Sequence, residues 1–275
     1  MGKYWIERRE RRATYTGTEI PMLRCSGATR QGSRTNNQDN LRLGSLVELT
    51  EPVGPFCAAG RVPLDRTQVY CVCDGIGGSA RGELAAWMAL RAIRDCFEQM
   101  DIEKMALRDV VMEAAEAAQS AVLELYRNMG MPGGCTLTMV ALRGSTYEFL
   151  NIGDSPAFFY DRARRQLREL SVRHDSQWLS RTNGEQPGKQ ERSRLLNYLG
   201  REGFMAAQMA HTCSGEIRCG DGILLCSDGT ANAFPPAKLK RAMRKRMDAD
   251  RMTDRASRIP GADNSTAIVL MAERQ

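Results

Sequence analysis

The sequence has few histidines, no CxxC cysteine pair and no long hydrophobic run, and each scarcity excludes a class of protein. Only two histidines occur among 275 residues, and the nine cysteines form no CxxC pair, so neither a conventional zinc site nor a disulfide framework is predicted. Every uninterrupted apolar run is far shorter than the roughly 18 residues that a membrane span requires. The charged segment 7–12 is unlike the start of a secretory signal. We therefore expect a soluble, cytoplasmic chain with reduced cysteines and no membrane partner.

The composition is that of an ordinary globular protein. Apolar residues make up 42% of the chain and charged residues 26%, which excludes intrinsic disorder and coiled coils. No repeat or linker is visible that would divide the chain, so we predict one domain over residues 1–275. The net charge of +6 is modest, and we expect a monomer that does not bind nucleic acid.

Periodicity predicts a group of helices between two sets of strands. Apolar residues recur every three or four positions over 82–100 and again over 104–128, with Gly130 as a C-terminal stop. Short β-rich runs lie at 22–29, 41–43, 69–73, 135–142, 147–152, 157–160, 223–226 and 266–271. Short connections between strands favour antiparallel sheets with helices on their outer faces. We expect segment 44–68 to be a loop or irregular hairpin and segment 175–212 to be a surface excursion.

Aspartates stand at the ends of nearly every predicted strand. Each precedes a small or turn-forming residue: Asp39-Asn40, Asp74-Gly75, Asp154-Ser155, Asp228-Gly229 and Asp263-Asn264. At any one position this pattern is also ordinary turn chemistry. Five such positions favour a second interpretation, in which the strand ends converge and the carboxylates share one cleft. Carboxylates that share one cleft cannot all stay ionised without a cation between them. Oxygen ligands without histidine or cysteine favour Mg²⁺ or Mn²⁺.

An acidic cleft of this kind predicts phosphoryl chemistry. Hard divalent ions lower the pKa of bound water and hold oxyanions, and a pair of ions about 3.5–4 Å apart does both in phosphoryl hydrolysis. A phosphate ligand also favours a guanidinium, whose planar fork donates two parallel hydrogen bonds. Arg34 lies five residues before Asp39. An arginine in such a segment is more often plain surface, but here its proximity to the acidic cluster makes it a candidate phosphate ligand.

Seven short motifs occur in order along the chain. They are Arg34-Thr35-Asn36-Asn37-Gln38-Asp39, Asp74-Gly75-Ile76-Gly77-Gly78 with Gly82-Glu83, Gly134-Cys135-Thr136-Leu137-Thr138, Asn151-Ile152-Gly153-Asp154-Ser155, Leu199-Gly200, Leu225-Cys226-Ser227-Asp228-Gly229 and Asp263-Asn264-Ser265-Thr266. Together they resemble the metal-dependent protein phosphatase family, type 2C, over residues 34–270. The Asn-Gln-Asp form of the first motif is similar to that of the bacterial branch.

The resemblance implies a fold, an activity and a set of site residues. The fold would be an α+β, four-layer α-β-β-α sandwich, and the activity would be hydrolysis of phosphoserine or phosphothreonine by a metal-activated water. The partner would be a phosphoprotein substrate of a serine/threonine kinase. The implied centre holds two Mn²⁺ or Mg²⁺ ions and a weaker third. By matching position, Asp74 would bridge the two ions, Asp228 and Asp263 would bind one of them, and the Gly75 carbonyl would bind the other. Asp39 would interact with the ions through water, and Asp154 would contribute to the third site. Arg34 would bind the phosphate.

Three positions depart from the family pattern. Some relatives carry a histidine, proposed as the acid for the leaving group, where this chain has Ile76. The proton would then have to come from elsewhere in the site. Pro156 stands where many relatives have arginine, and Cys135 stands where threonine is usual. Neither of these two positions coincides with an implied ligand.

Two other interpretations stay open at the level of sequence. Residues 75–80 satisfy the G-x-G-x-x-A pattern of a dinucleotide-binding turn, but Asp74 would place an anion beside the pyrophosphate, and Asp95 lies within a helical pattern. Alternatively, a catalytically silent relative would bind phosphoproteins through the same cleft. Because Asp74, Asp228 and Asp263 are all present, we expect an active hydrolase.

Overall fold

The computed structural model describes residues 4–5, 22–47, 55–76, 81–177, 180, 183 and 194–274. The predicted loop 44–68 and the predicted excursion 175–212 therefore lie partly outside the described residues, as do Gly77 and Gly78. None of the described helices is long and apolar enough to cross a membrane.

The described elements alternate between groups of strands and groups of helices. The strands are β1 Tyr4–Trp5, β2 Met22–Arg30, β3 Asp39–Leu43, β4 Phe56–Pro63, β5 Gln68–Ile76, β6 Gly134–Cys135, β7 Leu137–Arg143, β8 Thr146–Ile152, β9 Ala157–Asp161, β10 Gln166–Glu169, β11 His211–Glu216, β12 Gly222–Cys226 and β13 Ser265–Glu273. The helices are α1 Gly82–Gln99, α2 Leu107–Met129, α3 Ala206–Met209, α4 Asp228–Ala233, α5 Pro236–Arg244 and α6 Ala249–Ser257, with a 3₁₀ turn at Ile102–Lys104.

The strands form two sheets. One has the order β1-β4-β2-β13-β12-β9-β10, and the other has the order β11-β8-β7-β5-β3, with β6 paired to the end of β5. The described pairs are antiparallel except for β1 with β4, which is parallel. The antiparallel arrangement predicted from the short connections is confirmed.

Three apolar clusters show how the layers are stacked. One lies between the two sheets and includes Leu23, Tyr70 and Ile268. A second joins the sheet of β5 and β7 to α1 and α2, and a third joins the sheet of β2 and β13 to α5 and α6. Burying both faces of each sheet in this way produces four layers. The predicted α-β-β-α sandwich is confirmed.

The loop or irregular hairpin predicted over 44–68 is wrong for residues 56–63. Phe56–Pro63 forms strand β4, which pairs with β2 along its whole length. Pro55 lies directly before this strand and Pro63 at its end, where a missing N–H is tolerated. Its centre, Ala58 to Gly60, has small side chains that carry little hydrophobic pattern. The second predicted helix also begins later than expected, at Leu107, because a 3₁₀ turn precedes it.

Strand alternation decides which side chains face the cleft between the sheets. Leu41 on β3 and Val72 on β5 both pack in the core between the sheets. Side chains two residues apart on a strand point the same way, so Asp39 and Asp74 face this interior as well. The two aspartates are direct cross-strand partners. Arg42, by contrast, faces the helices that cover the outer side of the sheet.

Candidate metal centre

All five predicted aspartates lie at one end of the sandwich. Asp39 begins β3 beside Asp74, which lies near the end of β5. Asp154 follows the end of β8, Asp228 begins α4 just after β12, and Asp263 precedes β13. Because β12 and β13 are antiparallel neighbours, the end of one and the start of the other meet at the same edge. The two sheets therefore bring five carboxylates to a common cleft.

Repulsion between these carboxylates shows that they lie close together. Burial raises the pKa of Asp74 well above its ordinary value, and the negative charges of the other four aspartates raise it further. Burial, followed by the charges of Asp228 and Asp263, raises the pKa of Asp39 to about 7. Burial, followed by the charge of Asp228, raises the pKa of Asp154 to about 6. Such mutual effects require short range and poor solvent screening.

Asp39 is a buried carboxylate without a satisfied oxygen. It is 4% exposed, and neither of its carboxylate oxygens forms a hydrogen bond with a described residue. The hydroxyls of Ser227 and Thr266 face it closely enough to lower its pKa against the effect of burial, but neither reaches hydrogen-bond geometry. An unsatisfied buried carboxylate is costly. A cation, or water held by a cation, would supply the missing partner, so this donor fits a metal ion.

The aspartates are spaced around the cleft. Among the residues that the structure describes, no three acidic, histidine or cysteine side chains are grouped so that they could hold a metal ion directly. Mg²⁺ characteristically takes one or two carboxylates and keeps several waters, in contrast to the all-protein cages that bind other ions. Carboxylates spaced along the walls of a cleft therefore fit hydrated Mg²⁺ or Mn²⁺.

Arg34 stands at the mouth of the cleft. Its Nη2 donates a hydrogen bond to Oδ2 of Asp263 at 2.5 Å. This bond is the largest cause of the raised pKa of Arg34, and the charges of Asp228 and Asp74 add to it. The side chain is 61% exposed, so its remaining N–H groups are open to solvent. The arginine is thus held over the acidic cluster and accessible to an incoming oxyanion.

Asn264 holds the turn that carries Arg34. Its amide nitrogen donates to the carbonyls of Gln31 and Asn36, both at 2.8 Å. Its amide oxygen accepts a hydrogen bond from the N–H of Gln38 at 2.9 Å. Sequence reasoning included this asparagine only as part of a motif, and its position directly after an aspartate gave no hint of these three contacts. It therefore fixes the position of the turn that carries Arg34.

Thr136 ties Asp74 to the neighbouring strand. Its Oγ1 accepts a hydrogen bond from the N–H of Asp74 at 3.0 Å, and its own N–H donates to the carbonyl of Asp74 at 2.8 Å. The same hydroxyl lies 2.8 Å from Oγ of Ser155, which follows Asp154. One hydroxyl network therefore fixes the backbone beside two of the aspartates, and sequence reasoning assigned no role to its members.

Gly75 lies where the backbone passes too close to α1 for any side chain. A Cβ at this position would lie 2.3 Å from the carbonyl carbon and oxygen of Gly82. The N–H of Gly75 donates to the carbonyl of Gln38 at 3.1 Å. The close approach explains why glycine is needed at both positions, and it fixes the backbone next to Asp74.

His174 anchors the turn before Asp154. Its ring Nδ1 accepts a hydrogen bond from the backbone N–H of Gly153 at 3.1 Å. The backbone N–H of His174 donates to the carbonyl of Gly153 at 3.0 Å. Burial, followed by the charge of His211, lowers the pKa of His174 from 6.5 to about 4. The imidazole is therefore neutral near pH 7, which the acceptor role of Nδ1 requires.

Acid is expected to destabilise the protein through His174. Because the folded-state pKa lies below the unfolded value, the unfolded state binds more protons between pH 6.5 and 4. The free energy of unfolding then falls as the pH drops through this window, by about 2 kcal/mol after allowance for partial exposure. Urea unfolding of wild type and His174→Gln at pH 7 and pH 4.5 measures this contribution, since glutamine keeps an acceptor and does not titrate. Equal losses of stability in both proteins would contradict it.

The structure excludes the dinucleotide-binding interpretation. Gly75 and Ile76 still belong to β5, whose neighbours β3 and β7 are antiparallel to it. Helix α1, which contains Asp95, is followed by a second helix. A dinucleotide-binding turn requires a helix that leads to a parallel neighbouring strand, so this hypothesis is wrong.

Comparison with known proteins agrees with this geometry. The family described as Protein phosphatase 2C matches residues 59–260. The protein named Serine/threonine phosphatase stp from Listeria innocua is 27% identical over 225 residues, which cover 76% of this chain and 86% of that protein. The catalytic domain of serine threonine protein phosphatase PstP, solved in complex with two manganese ions, has a TM-score of 0.71 at 21% identity and covers 92% of this chain and 99% of its own. The PPM Ser-Thr phosphatase MsPP from Mycobacterium smegmatis, in complex with cacodylate, has a TM-score of 0.65 at 26% identity, over 90% of this chain and 97% of its own.

The family match covers well over half of the chain, and the solved structures share its fold. The enzyme class predicted from the motifs, a protein phosphatase, is confirmed. The chain belongs to the protein phosphatase 2C family.

Proposed function

We propose that this chain hydrolyses phosphoserine and phosphothreonine on proteins at a centre of two Mn²⁺ or Mg²⁺ ions. The observation that carries the proposal is the convergence of five aspartates beneath the exposed guanidinium of Arg34. The relatives support it, because one is named a serine/threonine phosphatase and another was solved with two manganese ions.

The proposed ligand roles are those that the matching motif positions imply. Asp74, which interacts electrostatically with all the other aspartates, would bridge the two ions. Asp228 and Asp263, at the meeting ends of β12 and β13, would complete one ion, and the carbonyl of Gly75 would bind the other. Asp39 has two unsatisfied oxygens and would accept hydrogen bonds from coordinated waters. Asp154 would contribute to a weaker third site.

The chain's own residues would position the phosphate. When bound, the ions would supply a water of lowered pKa and positive charge against the phosphate oxygens. Arg34 would exchange its hydrogen bond to Asp263 for a fork of two bonds to the phosphate. Ile76 has no acidic proton to donate, so the leaving serine or threonine oxygen would be protonated by a water in the cleft. The partner implied by this chemistry is a phosphoprotein.

Removal of the arginine tests the substrate-binding role. For Arg34→Ala we expect KM for a phosphopeptide to rise about tenfold, the effect of losing about 1.4 kcal/mol from a charged hydrogen bond. The fall in kcat should be smaller, because the contact exists in both the ground state and the transition state. Steady-state kinetics with Mn²⁺ measures both constants.

Arg164→Ala is the matched control. Arg164 also forms an exposed ion pair with an aspartate, to Asp161 at 2.8 Å, but it lies on the turn between β9 and β10. Its replacement should leave both constants unchanged. An unchanged KM in Arg34→Ala would remove this arginine from the substrate site.

Hydrolysis of a phosphoserine peptide tests the proposal as a whole. We expect release of phosphate with added Mn²⁺ or Mg²⁺ and its loss in excess chelator. Activity that persists in chelator would reject the metal centre. If phosphopeptide bound but no metal supported turnover, the chain would be the catalytically silent binding module considered from its sequence.

A further inference from the structure

A second group of arginines lines a cavity on the helix-covered side of the sheet that contains β3 and β5. The cavity has a volume of about 260 Å³ and is lined by Arg42 of β3, Arg66 before β5 and Arg94 of α1. Three guanidinium groups at one cavity are the usual means of binding an oxyanion, because each presents a planar set of donors. Nothing in the proposed phosphatase chemistry uses them.

This cavity is separate from the aspartate cleft. Arg42 and Asp39 lie on the same strand but point to opposite faces of the sheet, since they are three residues apart. Gln68, which also lines the cavity, is six residues from Asp74 along β5, a distance of about 20 Å in a strand. A ligand in the cavity would therefore not touch the candidate metal centre.

Arg42 is built into the wall of the cavity. It is 8% exposed, and its guanidinium carbon lies 5.5 Å from the centroid of the Phe97 ring. Packing against an aromatic ring fixes the orientation of the planar group, so little side-chain entropy remains to be lost on binding. A buried positive charge also raises the electrostatic potential inside the cavity.

Two carboxylates, Glu98 and Glu103, also line the cavity. Glu103 accepts hydrogen bonds from the N–H and the hydroxyl of Thr67 at 2.9 and 3.0 Å, and it lies 3.5 Å from Arg143. Glu98 lies 3.7 Å from Arg94 and offsets part of its charge. The lining still has three arginines against two carboxylates, so it keeps an excess of positive charge.

Arg94 and Arg66 occupy the more open part of the lining. Arg94 donates to Asp95 at 2.6 Å through its Nη2, and its side chain is about one-third exposed at 32%. Arg66 is exposed and forms no ion pair with a described residue. An incoming anion would therefore meet a buried guanidinium at the base and an exposed one at the rim.

One wall of the cavity is apolar. Val69, Phe97 and Ile102 contribute to the lining, next to the arginines. A cavity slightly below the roughly 300–1,000 Å³ of drug-sized pockets suits a small ligand. The lining fits a ligand that has an anionic group and a compact organic group.

We propose that this cavity binds a small phosphate monoester, with the phosphate on Arg42, Arg66 and Arg94 and the organic group against Phe97 and Ile102. The site is distinct from the one at which the phosphatase substrate would bind. Its occupant would be a ligand and not a substrate.

Phenylphosphonate is a suitable probe, because it has the charge and shape of a monoester without a hydrolysable P–O–C bond. We would titrate it into the Mn²⁺-loaded full chain by calorimetry, for wild type, the double variant Arg66→Ala/Arg94→Ala, and Arg34→Ala. We expect one set of binding sites whose affinity for phenylphosphonate falls at least tenfold in the double variant and is unchanged in Arg34→Ala. The double variant should keep its phosphopeptide hydrolysis within twofold of wild type.

Arg91→Ala is the matched control, because Arg91 lies three residues before Arg94 on the same helix, is about half exposed, and does not line the cavity. It should bind phenylphosphonate as wild type does. Inorganic phosphate should bind these sites at least tenfold more weakly, since it lacks the ring. The proposal is overturned if Arg91→Ala weakens binding as much as the double variant does, if Arg34→Ala alone removes all binding, or if inorganic phosphate binds equally well.

Discussion

Replacing Asp74 by asparagine is expected to lower kcat/KM for phosphopeptide hydrolysis by about 10³-fold, a loss of about 4 kcal/mol of transition-state stabilisation. Asp74 is the aspartate that interacts with all four others, so the proposed bridging position depends on it. Asparagine is nearly the same size but has one acceptor oxygen and no charge, and it cannot bridge two cations. Steady-state kinetics with Mn²⁺, together with calorimetric titration of Mn²⁺, measures the loss of activity and of metal affinity.

Folding should not account for this loss. Asparagine at position 74 relieves repulsion among buried carboxylates, and the backbone hydrogen bonds to Thr136 are independent of the side chain. The control is Asp254→Asn, which makes the same chemical change at a half-exposed site on α6 where the carboxylate pairs with Arg258. Activity within threefold of wild type for Asp74→Asn, at saturating metal, would show that this residue is not the bridge.

The helices and the antiparallel strand neighbours could be predicted because their determinants are local, whereas the four-layer order was implied by the resemblance to the family. The helical periodicity over 82–100 and 104–128 and the short connections between strands specify which elements form and that neighbours are antiparallel. Strand β4 was missed because Ala58, Ala59 and Gly60 give no alternating pattern, and its pairing with β2 depends on residues 27 to 41 positions away. Local pattern cannot reveal a strand whose register is set by a distant partner.

The aspartates themselves could be found from sequence, but the residues that hold their backbone in position could not. An aspartate at the end of a buried strand is visible in the sequence, and five of them together favour a common cleft. The hydroxyl of Thr136 between Asp74 and Ser155, and His174 against Gly153, join segments about 20 to 60 residues apart. Threonine and histidine have many ordinary roles, so only the fold reveals which of them position the site.

The same folding pattern imposes a stability cost at Asp39. Strand alternation places this carboxylate in the buried space between the sheets, opposite Asp74, and the structure leaves both of its oxygens without a hydrogen bond from a described residue. Groups that serve a site are often unfavourable for folding alone, because their partners arrive only with the ligand. The cost should therefore appear as a dependence of stability on metal.

Asp39→Asn is expected to stabilise the metal-free protein by about 2 kcal/mol, the usual cost of an unsatisfied buried polar group. The amide removes the buried charge and could donate a hydrogen bond toward the hydroxyl of Ser227 or Thr266, which face this position. In saturating Mn²⁺ the order should reverse or the gain should disappear, since metal binding stabilises the folded wild type more strongly than the variant. Phosphatase activity should fall in parallel.

Urea unfolding of wild type and Asp39→Asn, each in chelator and in Mn²⁺, measures this exchange. Asp254→Asn, which removes the same charge from an exposed ion pair, should change stability by less than about 0.5 kcal/mol in both conditions. If Asp39→Asn were less stable than wild type in chelator, the carboxylate would have partners of its own in the folded chain. It would then be a structural residue, and the case for its role in holding coordinated water would be lost.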